Sequence, residues 1–527
     1  MHASRSNRSI VPGDRPPRRA VLNAAAFVLA ALLVAACGAP GTGGTPSGSL
    51  TVAPTSLELG VGADATLTAS LDGTPTTNVT WASGNASVAS VDAAGVVTGV
   101  SAGSTSITAS AGGATAAASV SVVACTSPTT VDDDVTVPTT WTAQGAGCTD
   151  YVVLNKISVT DTLTVEPGAV VHFAADAELR VTSGGSIVAD GTSAAPILFT
   201  GSERVPGHWN GIIIWRTGED PRSVFDHVTI EYAGGEPAAP DFDVYGYNLV
   251  LGSPTGDPSV MARQTTLTNT TLRHSAGYGL YISYQSTFVP NGFANNTLTE
   301  NALGAAHVSA QAARWLDAAT SYAGNGAELV FLDATNTARD IVEDDATWPA
   351  LGDGVRYLVD GVIDLRAVLT LEPGATLSFS QDTGLFAQNE NAGIVADGTS
   401  ANPIVLTGEV EVGGSWYGVY LRQARTSGNV MDHVTIEYGG GAYAGGVTGW
   451  VTNVDHQFNL SIGQNPQNEV AQMDVTDSTF RHAGVVGDGL GYGIYVSSGS
   501  DPNTGICTSA GNVFEASNEQ GCFIDPD

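Results

Sequence analysis

Asp226-His227-Val228-Thr229-Ile230-Glu231-Tyr232 returns 206 residues later as Asp432-His433-Val434-Thr435-Ile436-Glu437-Tyr438. Outward from this pair, other landmarks repeat in the same order. Glu166-Pro167-Gly168-Ala169 matches Glu372-Pro373-Gly374-Ala375, and Ile187-Val188-Ala189-Asp190-Gly191 matches Ile394-Val395-Ala396-Asp397-Gly398. Trp209 with Gly211 matches Trp416 with Gly418, Arg273-His274 matches Arg481-His482, and Asn296 matches Asn512. The acidic runs Asp132-Asp133-Asp134 and Glu343-Asp344-Asp345 stand near the two starts. Such an ordered series divides the region into tandem units, 128–320 and 338–527.

Inside each unit a shorter beat of roughly 20–30 residues holds two or three β-rich runs separated by Gly, Asn or Asp, with no helical period. A short β-run, a turn and another β-run at that spacing predict coils that stack backbone to backbone. At ~4.8 Å per coil, a unit of roughly eight coils would be ~40 Å long. The segment from LTVEPGAVVHF through DHVTIEYAGG resembles the right-handed parallel β-helix surface proteins of bacteria, over almost all of 131–527. That resemblance implies a fold. It does not imply a reaction, because the same frame serves lyases, hydrolases, adhesins and inert rods.

Residues 49–123 have a different rhythm. Short alternating runs (Leu57, Leu59 and Val61; Val79 and Trp81; Ile107 and Ala109) are separated by turns about every ten residues, which predicts a β-sandwich. With Pro54, Gly62, Trp81, Ser83, Val88, Gly95, Val100 and Gly103 at their spacings, the segment resembles a group 2 bacterial immunoglobulin-like domain. The resemblance implies display, with Trp81 as a core tryptophan. The fold class expected for the whole chain is therefore all-β: a small immunoglobulin-like sandwich followed by a duplicated solenoid.

Composition narrows the partners. The 527 residues carry 19 Lys+Arg against 52 Asp+Glu, a net charge of −33. A surface so acidic repels phosphate backbones and excludes nucleic acid. Lys156 is the single lysine, which leaves little scope for lysine-based chemistry.

Residues 1–36 combine an arginine-rich start with an apolar run too short for a comfortable membrane span. The run ends at Val34-Ala35-Ala36-Cys37, which resembles a lipoprotein signal. That resemblance makes Cys37 a lipidated N-terminus, 37–48 a flexible tether, and the destination the cell envelope, with the outer membrane or cell surface preferred. An ordinary secretory signal is the alternative. In an oxidising compartment the other four cysteines are expected to pair locally, Cys125 with Cys148 and Cys507 with Cys522.

Strand alternation puts Val228 and Ile230 inside the coil and His227, Thr229 and Glu231 outside, with His433, Thr435 and Glu437 as their copies. Arg273 and Arg481 would stack beside the two glutamates. A row of outward His, Glu and Arg can bind a polysaccharide, with arginine forking onto an acidic sugar. An exposed Glu–Arg ladder pair without a ligand is the competing reading. On the binding reading, replacing both glutamates with alanine should weaken glycan binding and leave the melting temperature nearly unchanged.

Trp215 and Ile213 are expected to face outward and supply a stacking surface, whereas Trp209 and Trp416 read as packing residues. The inserts 236–262, with Asp241, Asp243, Tyr245 and Tyr247, and 439–472 would rim a groove. The acidic runs Asp132, Asp133, Asp134 and Glu343, Asp344, Asp345 read as solvated turns, or as sites for Ca2+, the one cofactor the sequence suggests. The expected function is a lipid-anchored adhesion or glycan-binding protein without catalysis. The alternatives are a polysaccharide lyase or glycoside hydrolase, and a purely structural envelope rod.

Overall fold

The structure is a computed structural model. It describes residues 48–145, 147–182, 184–215, 222–235, 246–253, 260–334, 341–425, 428–441, 457–463, 470–484, 491–498, 500–502, 505–508, 510–515 and 520–525. Residues 1–47 with Cys37, and Asp241, Asp243 and Tyr245, lie outside this set.

Alternating small and β-branched residues build a sandwich from Leu50 to Val123. One sheet orders Ser56–Gly60, Ala114–Val123, Gly103–Ala111 and Thr80–Ser83; smaller sheets pair Leu50–Ala53 with Thr68–Leu71, and Asp64–Thr66 with Val96–Gly99. Leu59, Leu67, Val97, Ile107, Ala109, Val120 and Val122 fill the core. Trp81 is only half-buried and packs against that core from its margin. The expectation of a central tryptophan is thus corrected: alternation gives the side a residue takes, not its depth.

From Thr129 onward every described strand pairing is parallel, as a solenoid requires. In unit one, each coil contributes a strand to three faces. The first face stacks Tyr151–Val153, Val170–Phe173, Ile197–Gly201, Val228–Glu231, Thr271–Arg273 and Thr297–Thr299. The second stacks Lys156–Val159, Glu178–Val181, Gly211–Ile214, Tyr247–Leu251, Tyr278–Ile282 and Gly304–Ser309. The third runs from Thr139–Trp141 to Phe288–Ala294. Each coil sends Val, Ile, Leu or Phe inward, and one continuous core runs from Val135 to Ile506. Trp209 lies fully buried on Phe173 at 3.9 Å between ring centroids, and Trp416 on Phe379 at 4.1 Å, so both are packing residues.

The two units are joined out of phase. The second face of unit one continues through Leu329–Ala334 into Arg356–Leu365, whose first half pairs with Thr376–Phe379. Thr376–Phe379 leads on to Ile404–Gly408, Val434–Glu437 and Thr479–Arg481, which are the copies of unit one's first face. The first-face copies of unit two therefore stack on the second face of unit one, and these duplicated motifs do not line up along the rod. The junction contains the 3-10 helix Gln311–Trp315, which follows the last second-face strand of unit one.

Cys125 bonds Cys148, and Cys507 bonds Cys522. The first bond packs against the sandwich. A Cβ on Gly60 would lie 2.6 Å from Cys125 Sγ and 2.8 Å from Cys148 Sγ. Only glycine lets the strand Ser56–Gly60 come so close, so the disulfide fastens the start of the solenoid to the end of the sandwich.

Candidate functional site

The repeated DHVTIEY motif bends at both ends. His227 and Tyr232 have φ of 48° and 62°, and His433 and Tyr438 have 50° and 63°. A coil must turn sharply where one face meets the next, and a single left-handed residue makes that turn. His227 and His433 therefore sit in the corners, not on the strands as alternation suggested. Each imidazole Nδ1 lies 3.1 Å from the preceding carboxylate, Asp226 or Asp432.

Glu231 and Arg273 are direct register partners, as are Glu437 and Arg481. Both glutamates are nevertheless buried. In unit one, Arg273 Nε and Nη2 each reach Glu231 Oε2 at 2.7 Å, and Thr200 Oγ1 donates to Oε1 at 2.9 Å. In unit two, Arg481 Nε donates to Glu437 Oε2 at 2.5 Å and Thr407 Oγ1 to Oε1 at 2.9 Å. The indoles of Trp209 and Trp416 donate to the backbone carbonyls of the same glutamates, both at 2.9 Å. The outward glutamate expected from sequence is thus engaged on both oxygens. The arginines are what reach the surface, with side chains 41% and 39% exposed.

Beside each arginine, an aromatic ring stacks on an imidazole. Tyr232 lies on His274 at 4.8 Å and 10°, and Tyr438 on His482 at 4.9 Å and 5°. All four rings are partly exposed. His274 Nε2 also lies 3.2 Å from Glu300. Each unit therefore presents an arginine with a Tyr–His stack at one corner. The recurrence of Tyr232 and Tyr438 is visible in the sequence, but strand alternation gives no sign of the stack. The same outward column of unit one includes His172, opposite Thr200 in register. Burial, and then Arg204, push its pKa below the ordinary 6.5, against a smaller opposing pull from Glu231.

The outer side of the second face differs from expectation. Ile213 points away from the core but is only 1% exposed, in a cluster with Tyr247, Val250, Tyr278 and Tyr281. Trp215 is partly buried against that cluster, and the Arg180 guanidinium lies 5.9 Å from its ring centroid. Unit two repeats the pattern with Phe386, Tyr420, Phe458 and Tyr495, where Phe386 and Tyr420 stack at 4.7 Å. These rings form covered apolar columns, so Trp215 and Ile213 do not make an open platform.

The acidic runs serve the corners. Asp134 accepts from Ser158 N at 2.7 Å on the second face, and Asp345 from Val368 N at 3.0 Å at the start of the third-face copy Val368–Leu371, so the two contacts are not equivalent. Asp344 pairs with Arg314 and Glu343 with Arg366, while Asp132 and Asp133 are exposed. Among the described residues, the one group that brings three metal-type donor atoms within 4.8 Å of one another is Asp432, His433 and Asp477. A cleft of about 550 Å³ lies where the sandwich meets the solenoid, between Glu58 and the turns at Gln144, Pro167 and Ala195.

Residues 48–122 match a known family. They form a bacterial Ig-like domain (group 2). No curated protein matches the chain. The bacterial Ig-like domain and the two disulfides point to an extracellular or surface protein with an adhesion-type role.

Proposed function

We propose that this is a lipid-anchored surface protein whose solenoid binds glycans, with Cys37 as the lipidated residue and the bacterial Ig-like domain as the spacer. The observation that carries the binding reading is the exposed arginine beside a Tyr–His stack, built twice from the same residues. A guanidinium held in place by a buried carboxylate offers its remaining N–H groups to a sugar carboxylate or sulfate, and a partly exposed ring offers an apolar face. Because the first-face copies of unit two stack on the second face of unit one, the two corners point in different directions around the rod. Such a protein would cross-link separate chains or branches more readily than it would track one chain.

The test is a glycan array with wild type, Arg273→Gln, Arg481→Gln and the double variant. Acidic glycans should be bound, each single variant should weaken binding, and the double variant should abolish it. Wild-type protein that binds no glycan would favour the structural rod. Wild-type protein that shortens an acidic glycan during incubation would favour the lyase or hydrolase.

A further inference from the structure

The duplication supplies an internal comparison at one corner, and the two copies differ there in charge. In unit one, the Asp226 carboxylate is fully served. Thr268 Oγ1 and Asn269 Nδ2 donate to Oδ1 at 2.7 and 2.8 Å, and His227 Nδ1 meets Oδ2 at 3.1 Å. Burial works against the ionised form, but these three partners outweigh it and hold the carboxyl below its ordinary range.

Unit two keeps the aspartate, the histidine and the threonine. Thr476 Oγ1 donates to Asp432 Oδ1 at 2.7 Å. The asparagine position is now Asp477, which sits in the same left-handed turn with φ 45° against 49° for Asn269. A second carboxylate cannot donate, so a hydrogen bond in unit one becomes a like-charge contact in unit two.

Two further observations mark the corner. His433 Nδ1 is buried and lies near Asp432 Oδ2 without the alignment of a hydrogen bond, and it has no other hydrogen-bond partner. The coil above is also altered. Asn296 and Asn512 make matching bonds to the turns below, from Thr270 N and Ser478 N, each at 3.1 Å, so Asn295 of unit one corresponds to Gly511 of unit two. A Cβ at Gly511 would lie 2.0 Å from Asp477 Oδ1. Unit two thus has a carboxylate and a glycine where unit one has two asparagines, and the missing Cβ of Gly511 leaves space for the Asp477 carboxylate as it is placed.

We propose that Asp432, His433 and Asp477 form a divalent transition-metal site that unit one lacks. Two carboxylate oxygens and one imidazole nitrogen suit Zn2+ or Mn2+ better than Ca2+, which takes oxygen donors. Metal–ligand distances near ~2.1 Å put donor atoms up to about 4.2 Å apart. The 4.8 Å limit is therefore closed by small side-chain rotations. The partial exposure of the corner leaves coordination positions for water or for an external oxygen donor. The proposal stands apart from the glycan reading, because it uses a different corner and different residues.

The test uses the full chain, stripped with a chelator and dialysed against Zn2+ in the presence of excess Mg2+ and Ca2+, with bound metal counted by elemental analysis. Wild type should retain one Zn2+. Asp477→Asn should retain none and keep its circular dichroism and melting profile, since unit one already carries asparagine there. Asn269→Asp with Asn295→Gly should raise the count to two. Wild type without Zn2+, Asp477→Asn with its one Zn2+ intact, or a paired unit-one variant that gains nothing would each overturn the proposal.

Discussion

Removing Arg273 should damage the solenoid more than removing its partner Glu231, although the arginine is the more exposed of the two. The Glu231 side chain is 5% exposed and the Arg273 side chain 41%. Arg273→Ala leaves a buried carboxylate with only the Thr200 hydroxyl. Stranding one partner of a buried ion pair costs roughly 3–5 kcal/mol, and the open flank of this pair puts the expected value at the lower end, about 3 kcal/mol. Glu231→Ala leaves a guanidinium that water already reaches, so the loss is that of charge-assisted hydrogen bonds discounted for exposure, about 1.5 kcal/mol. The double variant should resemble Glu231→Ala, because no buried charge remains. Guanidinium unfolding followed by tryptophan fluorescence is a suitable assay, since Trp209 donates to the Glu231 carbonyl and reports on that coil. An Arg273→Ala variant no less stable than Glu231→Ala would refute the reasoning. So would two near-silent variants, which is the result an exposed ladder pair would give.

Other expectations follow from the same contacts. Replacing Cys125 and Cys148 with serine opens a cross-link spanning 23 residues and should lower stability by ~3 kcal/mol in chemical unfolding, whereas equal stability would show that the bond constrains nothing. His172 has a depressed folded-state pKa, so the unfolded chain protonates first. Its contribution should be complete above the ordinary 6.5 and shrink as pH falls from there towards the lowered value; His172→Gln should remove this part of the pH slope, and an unaltered slope would assign it elsewhere. Cys37→Ser should move the protein from the membrane fraction to the soluble fraction of cells, and a variant still bound to membranes would end the lipid-anchor reading.

The solenoid was legible because its two periodicities are written directly in residues: alternation within strands, and landmarks repeated about 206 residues apart. The Trp209 and Trp416 packing and the Glu–Arg neighbours were readable for the same reason. Depth was not. Alternation assigns Glu231 and Ile213 to the outside, yet both are covered, one by arginine and threonine and the other by an apolar column on the outer side of the sheet. Nor does alternation register that His227 and His433 are corner residues, because a positive φ leaves no mark on a pattern of apolar and polar positions. The phase between the units was also invisible. A tandem repeat specifies the order of its parts, whereas rotation about the axis depends on how the segment between Gly304–Ser309 and Arg356–Leu365 closes its coils. The corner at Asp432 needed the structure for another reason: Asn269 and Asp477 are ordinary turn residues until each is seen against the aspartate beside it.

The central claim is a single stack of coils that runs unbroken from one unit into the next while changing face. One register line passes from Ser158 through Arg180, Ile213, Val250, Tyr281, His307, Phe331, Leu358 and Ser378 to Thr407. At ~4.8 Å per coil, that line spans about 43 Å. Spin labels on cysteines placed at Ser158 and Thr407 make the length measurable by pulsed electron–electron resonance. A narrow distribution near 43 Å, widened only by the label tethers, is the expected result. A broad distribution, or a maximum far from that length, would contradict the continuous stack.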